Sequence, residues 1–317
     1  MQLTVALAAE EAAGVRALRL LTARGHRMVA VLSDSGETTA GATVAAVARN
    51  AGIPLRPGSQ VREPAFAGEL KAQGAELLLN VHSLHIVAPE VLAAPTLGAY
   101  NLHPGPLPER AGLHAPSWAL YDGDETHAVS LHRMTATLDA GPIAFAERFD
   151  IGRQATALTV MSECVRRGLG LVERLIELAE NGEPVPAHHQ DLARRRWFGA
   201  GPPEGGRLDW HRPARRVVDF VRACDYGPFA SPWGFPRCAA AGREVAIAAA
   251  QAMDETADAE PGTVAAGEGA AVSVAAADSW VRVEQVEVAG RRVPAGEVLR
   301  PGERLRPVPE AEPTGSR

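Results

Sequence analysis

Asn101 and His103 stand two residues apart in "NLHPGPLPERAG" (101–112), and Asp139 follows His103 by 139 minus 103, or thirty-six, positions in "TLDAG". Alternate residues of a strand share one face, so an amide N–H and an imidazole at 101 and 103 reach toward a common point. Two donors converging on one point suit the developing oxyanion of a tetrahedral intermediate. A carboxylate beside an imidazole raises its pKa and fixes its tautomer, and Asp139 is the candidate for that task. An Asn-x-His pair alone more often marks a core or surface histidine than a catalytic one. The acid in a turn between two strands is what turns the pair into a catalytic set. No serine or cysteine accompanies the three by motif. The chemistry they suit is therefore acyl transfer without a covalent enzyme intermediate, with a nucleophile brought by the substrate. Three prolines and two glycines between Pro104 and Gly112 restrain the backbone around the site.

These side chains need elements to hold them. "LTVALA" (3–8), "RMVAVLSD" (27–34), "AELLLNV" (75–81) and "LGAYNLH" (97–103) read as strands, with helical segments near residues 15–21, 41–51 and 64–73. That alternation predicts an α/β fold, a Rossmann-like doubly wound and mostly parallel sheet. Such sheets bind ligands beyond the carboxyl ends of their strands, where Asn101 and His103 fall. "HAVSLHRM" (127–134) and "GPIAFAERFDI" (141–151) read as an antiparallel hairpin around the "TLDAG" turn. A long amphipathic helix covers about 156–180. The expected division is a catalytic domain over 1–181, a linker over 182–206, a C-terminal domain over 207–306 and a disordered tail over 307–317. The linker, with Arg194, Arg195 and Arg196, reads first as a solvated connection and second as a phosphate-recognising cluster. Short runs such as "EVAIAAA" and "WVRVEQVEV" predict a small open β-barrel, OB-like, as the last domain.

Composition narrows the partners. The 317 residues carry 32 Lys+Arg against 38 Asp+Glu, a net charge of −6, which offers no general attraction for nucleic-acid phosphates. Cys164, Cys224 and Cys238 form no CxxC pair and read as buried thiols of a reducing compartment. Neither GxGxxG nor a Walker-type loop follows the first strand, so a nucleotide cofactor is not expected there, and no metal site is expected. No apolar run approaches the ~20 residues that span a bilayer, and the N-terminus reads as a strand; a cytoplasmic protein is expected.

"NLHPGPLPERAG", "APSWALYDGDETHAVSLHRMTATLDAGPI" and, further on, "GRLDWHRPARRVVDFVRA" (206–223) and "PGTVAAG" (261–267) together resemble the 10-formyltetrahydrofolate-dependent N-formyltransferases. That family includes methionyl-tRNA formyltransferase, sugar-nucleotide N-formyltransferases and formylation domains of peptide synthetases. The resemblance implies that Asn101, His103 and Asp139 are catalytic and that 10-formyltetrahydrofolate is the formyl donor. It implies that the folate pteridine lies against Ile86 and Val87 and the Thr137, Leu138, Ala140 and Gly141 backbone, bordered by Leu107 and Pro108.

Two departures bear on the acceptor. Ala111 stands in "ERAG" where relatives commonly carry an arginine before the glycine. The segment 33–43, with Asp34 and Glu37, has no Lys or Arg to hold tRNA phosphates. A small-molecule amine or a carrier-bound aminoacyl group of specialised metabolism is therefore expected, and tRNA is not. Formyltetrahydrofolate hydrolysis, methionyl-tRNA formylation and an inactive folate-binding protein are the competing readings. His82 and His85, near the folate edge, read first as packing residues or polar supports of the site and second as substrate contacts, and His188 and His189 read as solvated.

Overall fold

The structure is a computed structural model that describes residues 1–36 and 42–309. Glu37 and positions 310–317 of the expected tail lie outside the described residues. The chain divides into two compact units. The first comprises residues 1–115, 126–150 and 161–198, and the second 116–125, 151–160 and 199–317.

The elements of the N-terminal part follow in chain order: β1 (Thr4–Ala9), α1 (Glu11–Ala23), β2 (Arg27–Leu32), α2 (Val44–Asn50), β3 (Leu55–Arg56), α3 (Phe66–Ala72), β4 (Leu77–Val81), α4 (Pro89–Leu92), β5 (Gly98–His103), β6 (Ala111–Gly112), α5 (Ala115–Asp122), β7 (Thr126–Arg133), β8 (Ile143–Asp150), α6 (Ala157–Asn181) and β9 (Trp197–Phe198). The main sheet has the order β3-β2-β1-β4-β5-β7-β8. Its first five strands are parallel, and β7 and β8 add an antiparallel hairpin. This is the doubly wound, mostly parallel sheet that the alternation of elements predicts. Strands covered on both faces need continuous apolar runs rather than alternation. β4, "LLLNV", is buried along its whole length, and on one face Phe66, Leu70, Leu78, Val91 and Ala99 share a core.

The second unit contains α7 (Ala214–Ala223), then β10 (Arg237–Ala240), β11 (Arg243–Thr256), β12 (Val264–Ala266), β13 (Val272–Ala275), β14 (Ser279–Val288), β15 (Arg291–Pro294), α8 (Ala295–Val298) and β16 (Leu305–Pro307). The sheet β12-β13-β14-β11-β10-β16 is antiparallel, with β15 on β14, in keeping with the predicted open barrel. "EVAIAAA" does not stand as a short strand. It begins a 14-residue strand, β11, whose register on β14 shifts three times. Such irregularities bend a strand and raise its twist, which lets one long strand curl. Val245, Ile247, Val274, Val281 and Val283 are fully buried, and Cys164, Cys224 and Cys238 are free, buried thiols. Among the described residues no helix is long and apolar enough to cross a membrane.

The Pro-rich segment after β5 is pinned to β7 from below. Fully buried His127 donates from Nε2 to the Pro104 carbonyl at 3.0 Å, and Ser130 Oγ donates to the Gly105 carbonyl at 2.8 Å. Burial pushes the His127 pKa down to about 4, and only the Pro104 hydrogen bond opposes it. An unfolded chain takes up this proton near the ordinary value of about 6.5. Between those two values the unfolded state binds more protons, so folding stability falls as pH falls. At pH 5 this one group costs about 2 kcal/mol. His26, His103 and His114, also lowered chiefly by burial, act in the same direction. The thermal midpoint should therefore drop between pH 7 and 5, and His127→Gln should reduce the slope. A midpoint flat over that interval would contradict this account.

Candidate active site

Three neighbouring strands place one row of polar side chains at their carboxyl ends. Asn101 on β5 is the register partner of Asn80 on β4 and of His132 on β7. Asn101 Nδ2 donates to His132 Nε2 at 3.1 Å, while His132 Nδ1 donates to the Arg133 carbonyl at 3.0 Å. A carbonyl can only accept, so this contact fixes the His132 tautomer and leaves Nε2 to receive the amide. The second N–H of Asn101 is left for the cavity.

His103 is 4% exposed and donates from Nε2 to the Arg110 carbonyl at 2.7 Å. Its Nδ1 faces Asp139 Oδ2 at 3.8 Å, beyond direct hydrogen-bond reach. The sequence assigned the tautomer to Asp139, but the structure assigns it to the Arg110 backbone, which the "PGPLPER" turn brings back under the imidazole. Desolvation lowers the His103 pKa, partly offset by Asp139 and by the Arg110 hydrogen bond. In its resting neutral form the imidazole thus presents an unprotonated Nδ1 to the acid. His103 Nδ1 can accept a proton and the Asn101 amide can donate a hydrogen bond, so in place of two converging donors the structure presents one donor and one acceptor.

Asp139 sits in the β7–β8 turn with φ +53°, a left-handed backbone that Asp tolerates better than most residues. Burial would raise its pKa. The His103 and His132 imidazoles and the Gly112 N–H, which donates to Oδ2 at 2.9 Å, outweigh that and hold the carboxyl well below the usual range. Gly112 has φ +99°, and a Cβ there would lie 2.2 Å from the Phe198 carbonyl oxygen. Only glycine permits the β6–β9 pairing that aims this N–H. Gly141 is needed for a related reason, since a Cβ would lie 1.8 Å from the Arg133 carbonyl oxygen.

The 182–206 segment is more than a solvated link. Its Gln190 Nε2 donates to the carbonyls of Asp139 (3.0 Å) and Gly141 (2.6 Å), and Arg195 donates to the Leu138 carbonyl at 3.0 Å. His188 pairs with Ile143 in a backbone bridge, although both His188 and His189 are exposed. Arg194 pairs with Glu109 at 2.5 Å. The segment therefore braces the turn that carries Asp139. Arg194 is exposed and pairs with Glu109, and Arg195 is held by the Leu138 carbonyl.

Asn101, His103 and Asp139 all line a cavity of about 270 Å³ within the first unit. Ile86, Val87 and Leu138 line it as well. Leu107, Pro108, Thr137, Ala140 and Gly141 do not. Leu107 and Pro108 are buried behind it, and the other three shape the turn through backbone contacts, as when the Thr137 carbonyl accepts from Thr135 Oγ1 at 2.9 Å. His82 and His85, read as packing or polar supporting residues with substrate contact as the alternative, line the cavity and bear on carboxylates: His82 Nδ1 lies 3.3 Å from Glu11 Oε2, and His85 Nε2 donates to Asp34. His132 and Glu11 escaped the sequence reading. His132 was readable in principle, because it alternates with Ser130 on the strand beside Asn101. Ala111, where relatives commonly carry arginine, is fully buried in β6; the adjacent Arg110 is buried with its guanidinium 5.0 Å from the Phe198 ring centre. Among the described residues no group of three or more His, Cys, Asp or Glu could hold a metal ion.

The family description "Formyl transferase" matches residues 25–169, and "Formyl transferase, C-terminal domain" matches residues 202–301. The chain belongs to the formyl transferase family. Its similarity to solved structures extends over the fold. An N-formyltransferase from Helicobacter canadensis is 15% identical with a TM-score of 0.69, over 90% of this chain and 100% of that one. A variant of HypX from Aquifex aeolicus is 21% identical with a TM-score of 0.62, over 94% of this chain and 47% of that one. The formyl transferase chain spans about half the length of HypX. Glycinamide ribonucleotide transformylase 1 from Symbiobacterium toebii is 22% identical with a TM-score of 0.51, over 60% of this chain and 95% of that one.

Proposed function

We propose that this formyl transferase moves a formyl group from 10-formyltetrahydrofolate to the primary amine of a small molecule of specialised metabolism. The observation that carries this reading is the convergence of an amide donor, a neutral imidazole and an ionised carboxylate on one cavity, with no nucleophilic side chain among them. The folate donor is supported by relatives: the Helicobacter canadensis enzyme was crystallised with folinic acid and dTDP-3-aminofucose, and HypX with tetrahydrofolic acid. Ile86, Val87 and Leu138 are the apolar wall against which the pteridine would lie, and Leu107, Pro108, Thr137, Ala140 and Gly141 would support that wall from behind.

The neutral amine attacks the formyl carbon, a C–N bond forms, and the carbonyl π electrons move onto oxygen. Asn101 Nδ2–H stabilises that oxyanion. The attacking nitrogen, now cationic, loses a proton to His103 Nδ1, and Asp139 stabilises the imidazolium. As the oxyanion collapses, the bond to folate N10 breaks and His103 returns the proton to that nitrogen. No step in this sequence needs an acyl group on the enzyme.

Tetrahydrofolate release from 10-formyltetrahydrofolate, measured with and without primary amines, tests this. Release should depend on the amine, with a formylated product visible by mass spectrometry. Equal release without amine would instead identify a hydrolase. No release at all, with saturable folate binding retained, would identify a binding protein.

A further inference from the structure

The lining of the cavity differs in chemistry from one end to the other. One end is bounded by the β7–β8 turn. The other reaches β1 and β4, between which the strand order β3-β2-β1-β4-β5 reverses direction. Open α/β sheets bind ligands in the crevice at such a reversal. Two residues with left-handed backbones stand there, Glu11 (φ +57°) after β1 and His82 (φ +63°) after β4. The Glu11 side chain is 68% exposed, and its hydrogen bond with His82 lowers its pKa, so it is a carboxylate at neutral pH.

Deeper on the same wall lie polar atoms without partners. Asn80, 8% exposed, donates from Nδ2 to the Ser83 carbonyl at 3.2 Å, which leaves its Oδ1 unpaired. Ser83 Oγ, on a residue 7% exposed, is unpaired too. His85 Nδ1 is unpaired as well, while its Nε2 serves Asp34. Leaving such buried groups unmade costs about 1–3 kcal/mol each, a cost that a ligand with matching groups would relieve. Asn80 Oδ1 and Ser83 Oγ can each accept a hydrogen bond, and Glu11 places a carboxylate on this wall.

Phosphate groups favour the opposite arrangement, namely backbone N–H groups at a helix start with cations nearby. Here α1 opens with Glu11, Glu10 precedes it, and among the described residues no lysine or arginine lines the cavity. We propose that the acceptor is an unphosphorylated amine with a second, protonated nitrogen, which Glu11 and Asn80 hold at the β1–β4 end while the reacting amine lies at Asn101 and His103. The proposal rests on the formyl-transfer reading and narrows its substrate class.

The test is calorimetric titration of the full chain with 1,4-diaminobutane, butylamine and 3-aminopropyl phosphate, each with and without 5-formyltetrahydrofolate. The diamine should bind at least about tenfold more tightly than the other two, the scale of one charge-assisted hydrogen bond. Glu11→Gln should remove most of that advantage and leave butylamine and the folate unchanged. Three indistinguishable amines, a phosphate bound as tightly as the diamine, or an advantage that survives Glu11→Gln would overturn the proposal. So would a Glu11→Gln protein that loses folate affinity instead, since the wall would then belong to the folate. Absence of saturable 5-formyltetrahydrofolate binding in the unsubstituted protein would count against the donor reading alone, because the amine comparison is also made without folate.

Discussion

His103→Ala lowers kcat/KM for amine formylation by at least about 10²-fold, the usual scale of losing a positioned general base and acid. The imidazole presents an unprotonated Nδ1 toward Asp139, with its other nitrogen tied to the Arg110 carbonyl at 2.7 Å, whereas the lone pair of His132 Nε2, 3.5 Å from Asp139, is taken by the Asn101 amide. Without it the cationic intermediate has no acceptor for its proton, and folate N10 has no donor. The substitution deletes a ring that is 4% exposed, so folding must be checked by near-ultraviolet circular dichroism. His103→Gln provides a second variant of closer volume that keeps a donor for the Arg110 carbonyl but cannot carry the proton. A folded His103→Gln protein with near-normal turnover would remove His103 from the mechanism.

Asp139→Asn is expected to cost about 10²–10³-fold in kcat, comparable to losing a preorganised electrostatic partner of a transition state. The shape survives, and the Gly112 N–H can still find an oxygen. What disappears is the charge that favours imidazolium. The pH profile separates this from a structural effect. In the unsubstituted enzyme kcat/KM rises from pH 6 to about 8 as the amine loses its proton, an α-amino group doing so near 7.7–8.0. The His103 limb lies on the acid side, because burial lowers its pKa from the ordinary value, and Asp139 is the main group holding it up. Removing Asp139 should shift that limb further to acid while leaving the amine limb in place. The two groups titrate as a coupled pair, so the shift belongs to the pair. Tetrahydrofolate release followed from pH 5 to 9 checks both statements. An unchanged rate and an unchanged profile would reduce Asp139 to a turn residue.

Residue types and spacing were enough to predict the sheet, because buried parallel strands demand apolar runs such as "LLLNV" and strand alternation puts 101 and 103 on one face. They also identified Asn101, His103 and Asp139 as candidates, since chemistry at those positions depends on side-chain identity. The resemblance carried by "NLHPGPLPERAG" and "TLDAG" named the family. Tertiary structure decided how the three are held. Backbone carbonyls, which every residue possesses, set the tautomers of His103 and His132, and residue identity says nothing of which carbonyl will arrive. Gln190 and Arg195 brace the Asp139 turn from about fifty residues away, through contacts that composition reads as a polar, proline-rich connection. Leu107 and Pro108, expected to border the folate, are buried and do not line the cavity, because the Pro-rich turn is tied to His127 and Ser130. Glu11 and Asn80 entered the cavity only when β1 and β4, sixty-eight residues apart from Ala9 to Leu77, became neighbours in the sheet. Strand order is settled by packing across the whole core, so the charge of the cavity's far wall is a property of the fold rather than of any one segment.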